Sequence, residues 1–338
     1  MIIDAHTHMM NAKYFEQLAS KGGKWGQERV EFGRGVAQRK PHFTDVRERV
    51  AQLDRTGIAF QVVTPQSTFD CNLLPGDLSA QLAYAGVLND SMAALMEESR
   101  GRLIPAGTIP MAGFEKGSRQ ELERAVNTLG LRAVGINTNV RGKPIDAPEF
   151  EPFWACVNEM EIPVFIHPVK PAGTNDRPYE AEYDLIHNFG WPFETTLMLC
   201  RLVFSGIMER YPRLKVVSHH LGGGLLPFYM GRTLETYEPE NQRANYGGQT
   251  AALPKPLFEY FRRFFYDTAV GGSAPSTKLG YEVFGADPLI FATDAPWGPG
   301  SGEFRLRDYP RVIEALDIPE SDKKKILGEN ARRLLRLP

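Results

Sequence analysis

Two imidazoles stand at the start of the chain. In Met-Ile-Ile-Asp-Ala-His-Thr-His, His6 and His8 are two residues apart behind an apolar Ile2, Ile3 and Ala5. Successive side chains of a β-strand point to opposite faces, so this pair projects to one side, one pleat apart. Neutral imidazole is a common ligand of zinc and other transition ions, and two of them at a strand end suit such an ion. His-x-His alone describes a polar strand end equally well. The metal reading therefore requires further ligands at matching places.

The rest of the chain supplies them at the ends of apolar segments. His167 lies near the end of residues 162–168 (IPVFIHP), His219 and His220 end residues 215–220 (KVVSHH), and Asp294 lies in residues 289–296 (LIFATDAP). His6, His8 and His167 with the Asp294 carboxylate make a mixed nitrogen and oxygen set. That is the pattern of a catalytic metal with an open position, not of a closed structural one. Water held there has its pKa lowered toward neutrality. Alternation sets Ile166 opposite His167 and Thr293 opposite Asp294. On 215–220 it is expected to turn His220, with Ser218, to the pocket, where it can move protons at neutral pH. His219 is then expected to go with Val217 toward the surrounding helices. Singly, His167 also reads as a buried hydrogen-bonded histidine and Asp294 as a helix N-cap; their joint placement favours the metal.

Those residues need a frame that brings distant strand ends together. Eight short apolar stretches, at 2–8, 59–65, 103–110, 133–139, 162–168, 215–220, 264–270 and 289–296, alternate with helical patterns. The helices are expected near 46–56, 78–99, 118–129, 149–160, 193–210 and 321–336. This alternation predicts an α/β fold, a single (β/α)8 TIM barrel spanning residues 1–338, with some distortion allowed and a C-terminal helix closing the chain. Active-site groups of such barrels sit at the C-terminal strand ends, where these histidines fall. A doubly wound open sheet is the competing frame, but the first strand is not followed by a phosphate-binding glycine motif. Residues 11–44, rich in Gly and Arg, read as a long loop insertion after strand 1, and loops of that length are usually functional.

Composition narrows the class of function. The 338 residues are 42% hydrophobic and 24% charged, with a formal net charge of -2. No basic excess points to nucleic acid, and no apolar run is long enough to span a bilayer. The first residues lack the basic and apolar regions of a signal peptide. Cys71, Cys156 and Cys200 show no CxxC spacing, which argues against a disulfide framework or thiolate metal site and makes the cytoplasm the expected compartment. A small anionic substrate and a homo-oligomeric, dimeric assembly are the expected partners.

Five pieces together carry a resemblance: DAHTH at 4–8, FIHP at 165–168, PFETTLMLCRLVFSGIMERYPRLKVVSHHLGGG at 192–224, ATDAPWG at 292–298 and GENARRLL at 328–335. In them the chain resembles the amidohydrolase superfamily, most closely the branch of aminocarboxymuconate semialdehyde decarboxylase and the γ-resorcylate-type decarboxylases. The resemblance implies that His6, His8, His167 and Asp294 bind one divalent ion, usually zinc, with manganese or iron as alternatives. It also implies that His220 is the catalytic histidine; in a hydrolytic reaction Asp294 is expected to take the proton as metal hydroxide attacks. The end of strand 4 (GINTN, 135–139) lacks the bridging lysine of dinuclear members, while Lys170 and His219 keep a second ion open.

Substrates of the branch are commonly small carboxylates, which suit a guanidinium fork. Arg39 is the expected clamp on the resemblance, ahead of Arg29, Arg34, Arg47, Arg141 and Arg177, and Trp191 is expected to wall the pocket. Non-oxidative decarboxylation of an aromatic or muconate-type carboxylate is the favoured activity. Hydrolysis of a lactone, amide or ester is the alternative. More remote readings are a dinuclear oxygenase on the same fold and a non-catalytic partner subunit.

Overall fold

A strand that leaves its sheet edge unpaired exposes a row of backbone donors and acceptors, and closing the sheet on itself removes both edges. The computed structural model describes residues 1–170, 182–237 and 253–337. Its eight parallel strands run in chain order around the sheet. They are β1 (Ile2–His8), β2 (Ile58–Thr64), β3 (Leu103–Gly107), β4 (Ala133–Asn137), β5 (Val164–His167), β6 (Val216–Ser218), β7 (Phe265–Asp267) and β8 (Leu289–Ile290). The chain just beyond β8 returns to β1: Asp294 N–H donates to the His6 carbonyl at 2.9 Å and His8 N–H to the Ala295 carbonyl at 2.7 Å. The barrel predicted from the alternation is the fold observed. A two-stranded hairpin, Asn139–Val140 with Lys143–Pro144, sits outside it.

Two apolar groups divide the interior. One takes residues from all eight strands, among them Ile3, Val62, Ile104, Ala133, Phe165, Val217 and Ile290, together with Ala331, Leu334 and Leu335 near the C-terminus. This is the barrel lumen, stoppered below by the terminal helical segment. The other gathers the alternate strand residues, such as Val164, Ile166 and Val216, with the inward stripes of the helices. On β1, Ile3 and Ala5 belong to the lumen, yet His6 and His8 reach the same side. The β1–β2 register shifts between Asp4 and Thr7, which supplies the change of parity.

Residues 11–44 are not a loop. They hold the 25-residue helix α1 (Phe15–Arg39), broken only at Gly23, where φ is +55°. Its buried positions are Phe15, Leu18, Gly22, Gly26, Val30, Gly33 and Val36, a helical spacing in which three members are glycine. Those glycines hid the stripe by composition, but packing requires them. A Cβ on Gly33 would lie 3.1 Å from the Phe69 ring, and one on Gly26 2.6 Å from the Leu18 carbonyl. Helix α2 (Val46–Thr56) follows, with Asp45 accepting from the N–H groups of Arg47 and Glu48 and a left-handed Gly57 ending it.

Candidate metal centre

The lumen pattern continues past its apolar floor. Two residues beyond Phe165 is His167, two beyond Val217 is His219, two beyond Phe265 is Asp267, and four beyond Ile290 is Asp294. With His6 and His8 these groups crown the barrel, and all but Asp294 are almost wholly withdrawn from solvent. Asp294 is held in a left-handed backbone conformation, φ +61°.

The structure brings His6, His8, His167 and Asp294 together. His6 Nε2 and His8 Nε2 face each other at 3.3 Å. Asp294 Oδ1 lies 3.3 Å from His8 Nε2 and 3.7 Å from His6 Nε2. Buried as it is, this oxygen has no hydrogen-bond partner among the described residues. His167 Nδ1 is 2.7 Å from the Pro168 carbonyl. A carbonyl can only accept, so Nδ1 carries the proton and Nε2 keeps its lone pair. Ligand atoms of His6, His8 and His167 all lie within 4.8 Å of one another, as do those of His6, His220 and Asp294. Buried lone pairs and an unpaired carboxylate oxygen converging at one place fit a divalent cation; one proton satisfies only one pair of them.

Electrostatics agree with that fit. Burial would push His6 down, but the facing carboxylates of Asp267 and Asp294 outweigh it and raise its pKa. Burial lowers His8 and His220, and burial together with the neighbouring imidazoles takes His167 well below its ordinary value. Burial opposes ionisation of Asp294, yet the neighbouring imidazoles of His8, His6 and His220 hold its carboxyl down at about 2. Burial and neighbouring groups thus favour neutral imidazoles at His8, His167 and His220 around an ionised Asp294 carboxylate.

His219 departs from expectation. It does not face the helices: Val217 is a lumen residue, and parity counted from it turns His219 inward. Its ring stacks on that of His6, centroids 3.4 Å apart, and its Nδ1 sits 2.7 Å from Asp267 Oδ2. His220 lies beyond the end of β6 with φ +56°, where strand alternation no longer applies, and its ring is 5.2 Å from His6 and 5.6 Å from His167. Both histidines reach the site. The left-handed run continues through Gly222, Gly223 and Gly224. A Cβ on Gly223 would fall 2.2 Å from the Pro192 carbonyl, so glycine is required where this turn meets the helix Trp191–Phe204.

Asp267 is the residue that sequence reading missed. Its Oδ2 also meets His6 Nδ1 at 2.8 Å, and its Oδ1 accepts from the backbone N–H groups of His220 and Ala269 at 2.8 and 3.0 Å. The available signal was its position, an aspartate at the end of the seventh strand. Arg305 is a second unforeseen neighbour, with Nη1 3.5 Å from Asp294 Oδ2 and donating to the Thr293 carbonyl at 3.1 Å.

The expected substrate residues divide. Trp191 packs edge-on against His167, centroids 5.3 Å apart. Arg39 is exposed at the end of α1, and its neighbour Lys40 donates to the Gly298 carbonyl, in the loop after Asp294. Arg34 pairs with Glu16 and Arg29 with Glu28, Arg47 and Arg141 are exposed, and Arg177 lies outside the described residues. Lys170 is exposed and pairs with none of the cluster among the described residues. A small pocket opens beside His167 and His219, lined also by Gln66, Ser67, Asp70, Asn137 and Phe165.

Comparisons with known proteins match this geometry to a family. A family model described as Amidohydrolase matches residues 3–337. The 2-amino-3-carboxymuconate-6-semialdehyde decarboxylase of Dictyostelium discoideum is 30% identical over 99% of this chain and 91% of its own. The gamma-resorcylate decarboxylase of a Polaromonas species is 30% identical over 74% of this chain and 75% of its own. Among solved structures, 5-carboxyvanillate decarboxylase from Sphingomonas paucimobilis superposes with a TM-score of 0.84 at 24% identity, covering 100% of this chain and 99% of that one. A dihydroxybenzoic acid decarboxylase from Polaromonas, solved with bound manganese and 2-nitroresorcinol, gives 0.79 at 24% identity, covering 99% and 97%. At that identity the structures show the shared fold.

Proposed function

The chain belongs to the amidohydrolase family, and from that premise we propose that it is a divalent-metal-dependent, non-oxidative decarboxylase of a small aromatic or muconate-type carboxylate. One observation carries the reading: three imidazoles and an unpartnered, buried Asp294 Oδ1 converge at the mouth of the barrel, in a chain 30% identical along its length to a named decarboxylase.

His6, His8, His167 and Asp294 would hold one ion, zinc by the family resemblance or manganese as in the Polaromonas structure. Such an ion supplies a Lewis acid for the oxygen atoms of the substrate. The protein's own groups do the rest. Gln66, Ser67 and Asn137, with Asp70 lining the same pocket and Phe165 and Trp191 flanking His167, offer polar groups and flat apolar faces to a substrate bearing hydroxyl groups. The carbon–carboxylate bond breaks, its electron pair remains on carbon, and carbon dioxide leaves. A proton delivered to that carbon completes the product. His220 is its proposed source, with the Asp294 carboxylate beside it to stabilise the protonated imidazole. Arg39, at the end of α1, is the proposed anion clamp.

No helix among the described residues is long and apolar enough to cross a membrane. The three free cysteines support a reducing cytoplasm, and exposed Phe193, Leu197, Phe228 and Tyr229 support a homodimer. The test of function is direct. Protein loaded with zinc or manganese is offered a panel of hydroxybenzoates and muconate semialdehydes, and carbon dioxide release is measured against substrate loss. Equal amounts are expected. Hydrolysis of lactones or esters, with no carbon dioxide from any carboxylate, would replace this reading.

A further inference from the structure

We propose that Asp267 is a positioning residue that sets the tautomers of two imidazoles at once, turning the Nε2 lone pairs of both His6 and His219 into the mouth of the barrel. The geometry is a complete inventory of one carboxylate. Oδ1 accepts from two backbone N–H groups, those of His220 and Ala269, which can only donate. Oδ2 is approached by two side-chain nitrogens, His6 Nδ1 at 2.8 Å and His219 Nδ1 at 2.7 Å. An ionised carboxylate has lone pairs and no proton to give, so both nitrogens must be N–H donors.

A proton on Nδ1 leaves Nε2 bare in neutral imidazole. For His6 that atom faces His8 Nε2 and Asp294 Oδ1. For His219 it is buried and has no partner among the described residues, while the residue lines the cavity beside His167. The two rings hang from one oxygen and lie 18° from parallel, so their free nitrogens are presented together. One carboxylate therefore joins the ion-binding group to a cavity-facing one. The other oxygen of that carboxylate, Oδ1, anchors the left-handed turn at His220.

The tautomers stand on geometry alone; their consequence for ion affinity rests on the metal reading. Long-range proton–nitrogen NMR of histidine-labelled, ion-free protein at about pH 9, where imidazoles are neutral, reads the tautomers without any variant. Both His6 and His219 are expected to carry the proton on Nδ1. A proton on Nε2 of either ring overturns the proposal. Calorimetric titration with cobalt(II) then reads the consequence. Asp267→Asn offers an amide that cannot accept from both rings at one oxygen and keep its other contacts, and affinity is expected to fall roughly 10- to 100-fold. A folded Asp267→Asn protein that binds cobalt(II) within about threefold of the native protein overturns the positioning role. Failure of the native protein to bind cobalt(II) would instead remove the metal reading and leave the tautomer result standing.

Discussion

His6 and His219 lie face to face, ring centroids 3.4 Å apart, with the Nδ1 atoms of both on the same Asp267 oxygen. One comes from the first strand and the other from the end of the sixth, and the seventh supplies the carboxylate between them. An imidazole stacked at that distance cannot swing away, so His6 is held by its partner ring as well as by its hydrogen bond. The arrangement makes the ion-binding group and the cavity wall one unit.

Ion content is the first expectation. Native protein purified without added metal should hold about one divalent ion per chain by elemental analysis, and His8→Ala or Asp294→Ala should lose most of it. Chelation should lower the melting temperature and re-addition restore it, because an ion that binds only the folded state stabilises it by about 2.7 kcal/mol at 100 times its dissociation constant. Active protein that holds no ion would remove the site. Two equivalents would move the reading toward a dinuclear enzyme.

The adjacent histidines should now differ otherwise than strand alternation from Ser218 implied. His220→Ala should lower turnover by roughly two to four orders of magnitude, as expected for loss of a general acid, with ion content kept. His219→Ala leaves Asp267 Oδ2 short of a donor in a dry site and should cost about 1–3 kcal/mol in stability and weaken ion binding as well. Chemical denaturation and cobalt titration measure both. A His219→Ala protein unchanged in either respect would show that the stacked pair does nothing.

Arg39 is the third test. A guanidinium gripping a carboxylate through two hydrogen bonds is poorly replaced by lysine. Arg39→Lys and Arg39→Ala should therefore lower kcat/KM by about 30-fold or more, with Arg29, Arg34 and Arg47 as controls. Should only Arg305→Lys show such a loss, the cation that matters is the one beside Asp294.

Asp70 carries the expected pH dependence. Its carboxylate is buried and accepts from Asn72 N and Nδ2, Thr108 Oγ1 and Asn137 N. Burial raises its pKa against those hydrogen bonds. The folded protein thus takes up this proton before the unfolded chain does. Ionisation costs stability above the raised pKa, and the cost is relieved as pH falls toward the unfolded value. Asp70→Asn must turn an amide N–H₂ toward one of the donors, for a loss of about 1–3 kcal/mol. Because the variant lacks the titration, native protein should gain on it as pH falls from neutrality toward the ordinary aspartate value of about 4. A gap that shrinks over that range would contradict the assignment.

Much of this was written locally. His-x-His, the histidine of FIHP and the aspartate of ATDAP each end an apolar run of strand length; period-two alternation turns His167 and Asp294 toward the lumen, whereas His6 and His8 reach it through the register shift in β1. The barrel was legible for the same reason, since strand and helix patterns depend on neighbours a few residues away. Helix α1 was not, because three of its buried positions are glycine and read as loop until Phe69 and Tyr84 are seen packed against them. His219 was misjudged because parity must be counted from a residue whose side is known, and only the closed barrel shows Val217 inside. Asp267 was missed altogether. An aspartate after Phe-Phe-Tyr carries no periodic signal. What gives it a role is the closure of the sheet, which sets the end of β7 beside those of β1 and β6 and places one buried carboxylate oxygen within reach of two Nδ1–H groups.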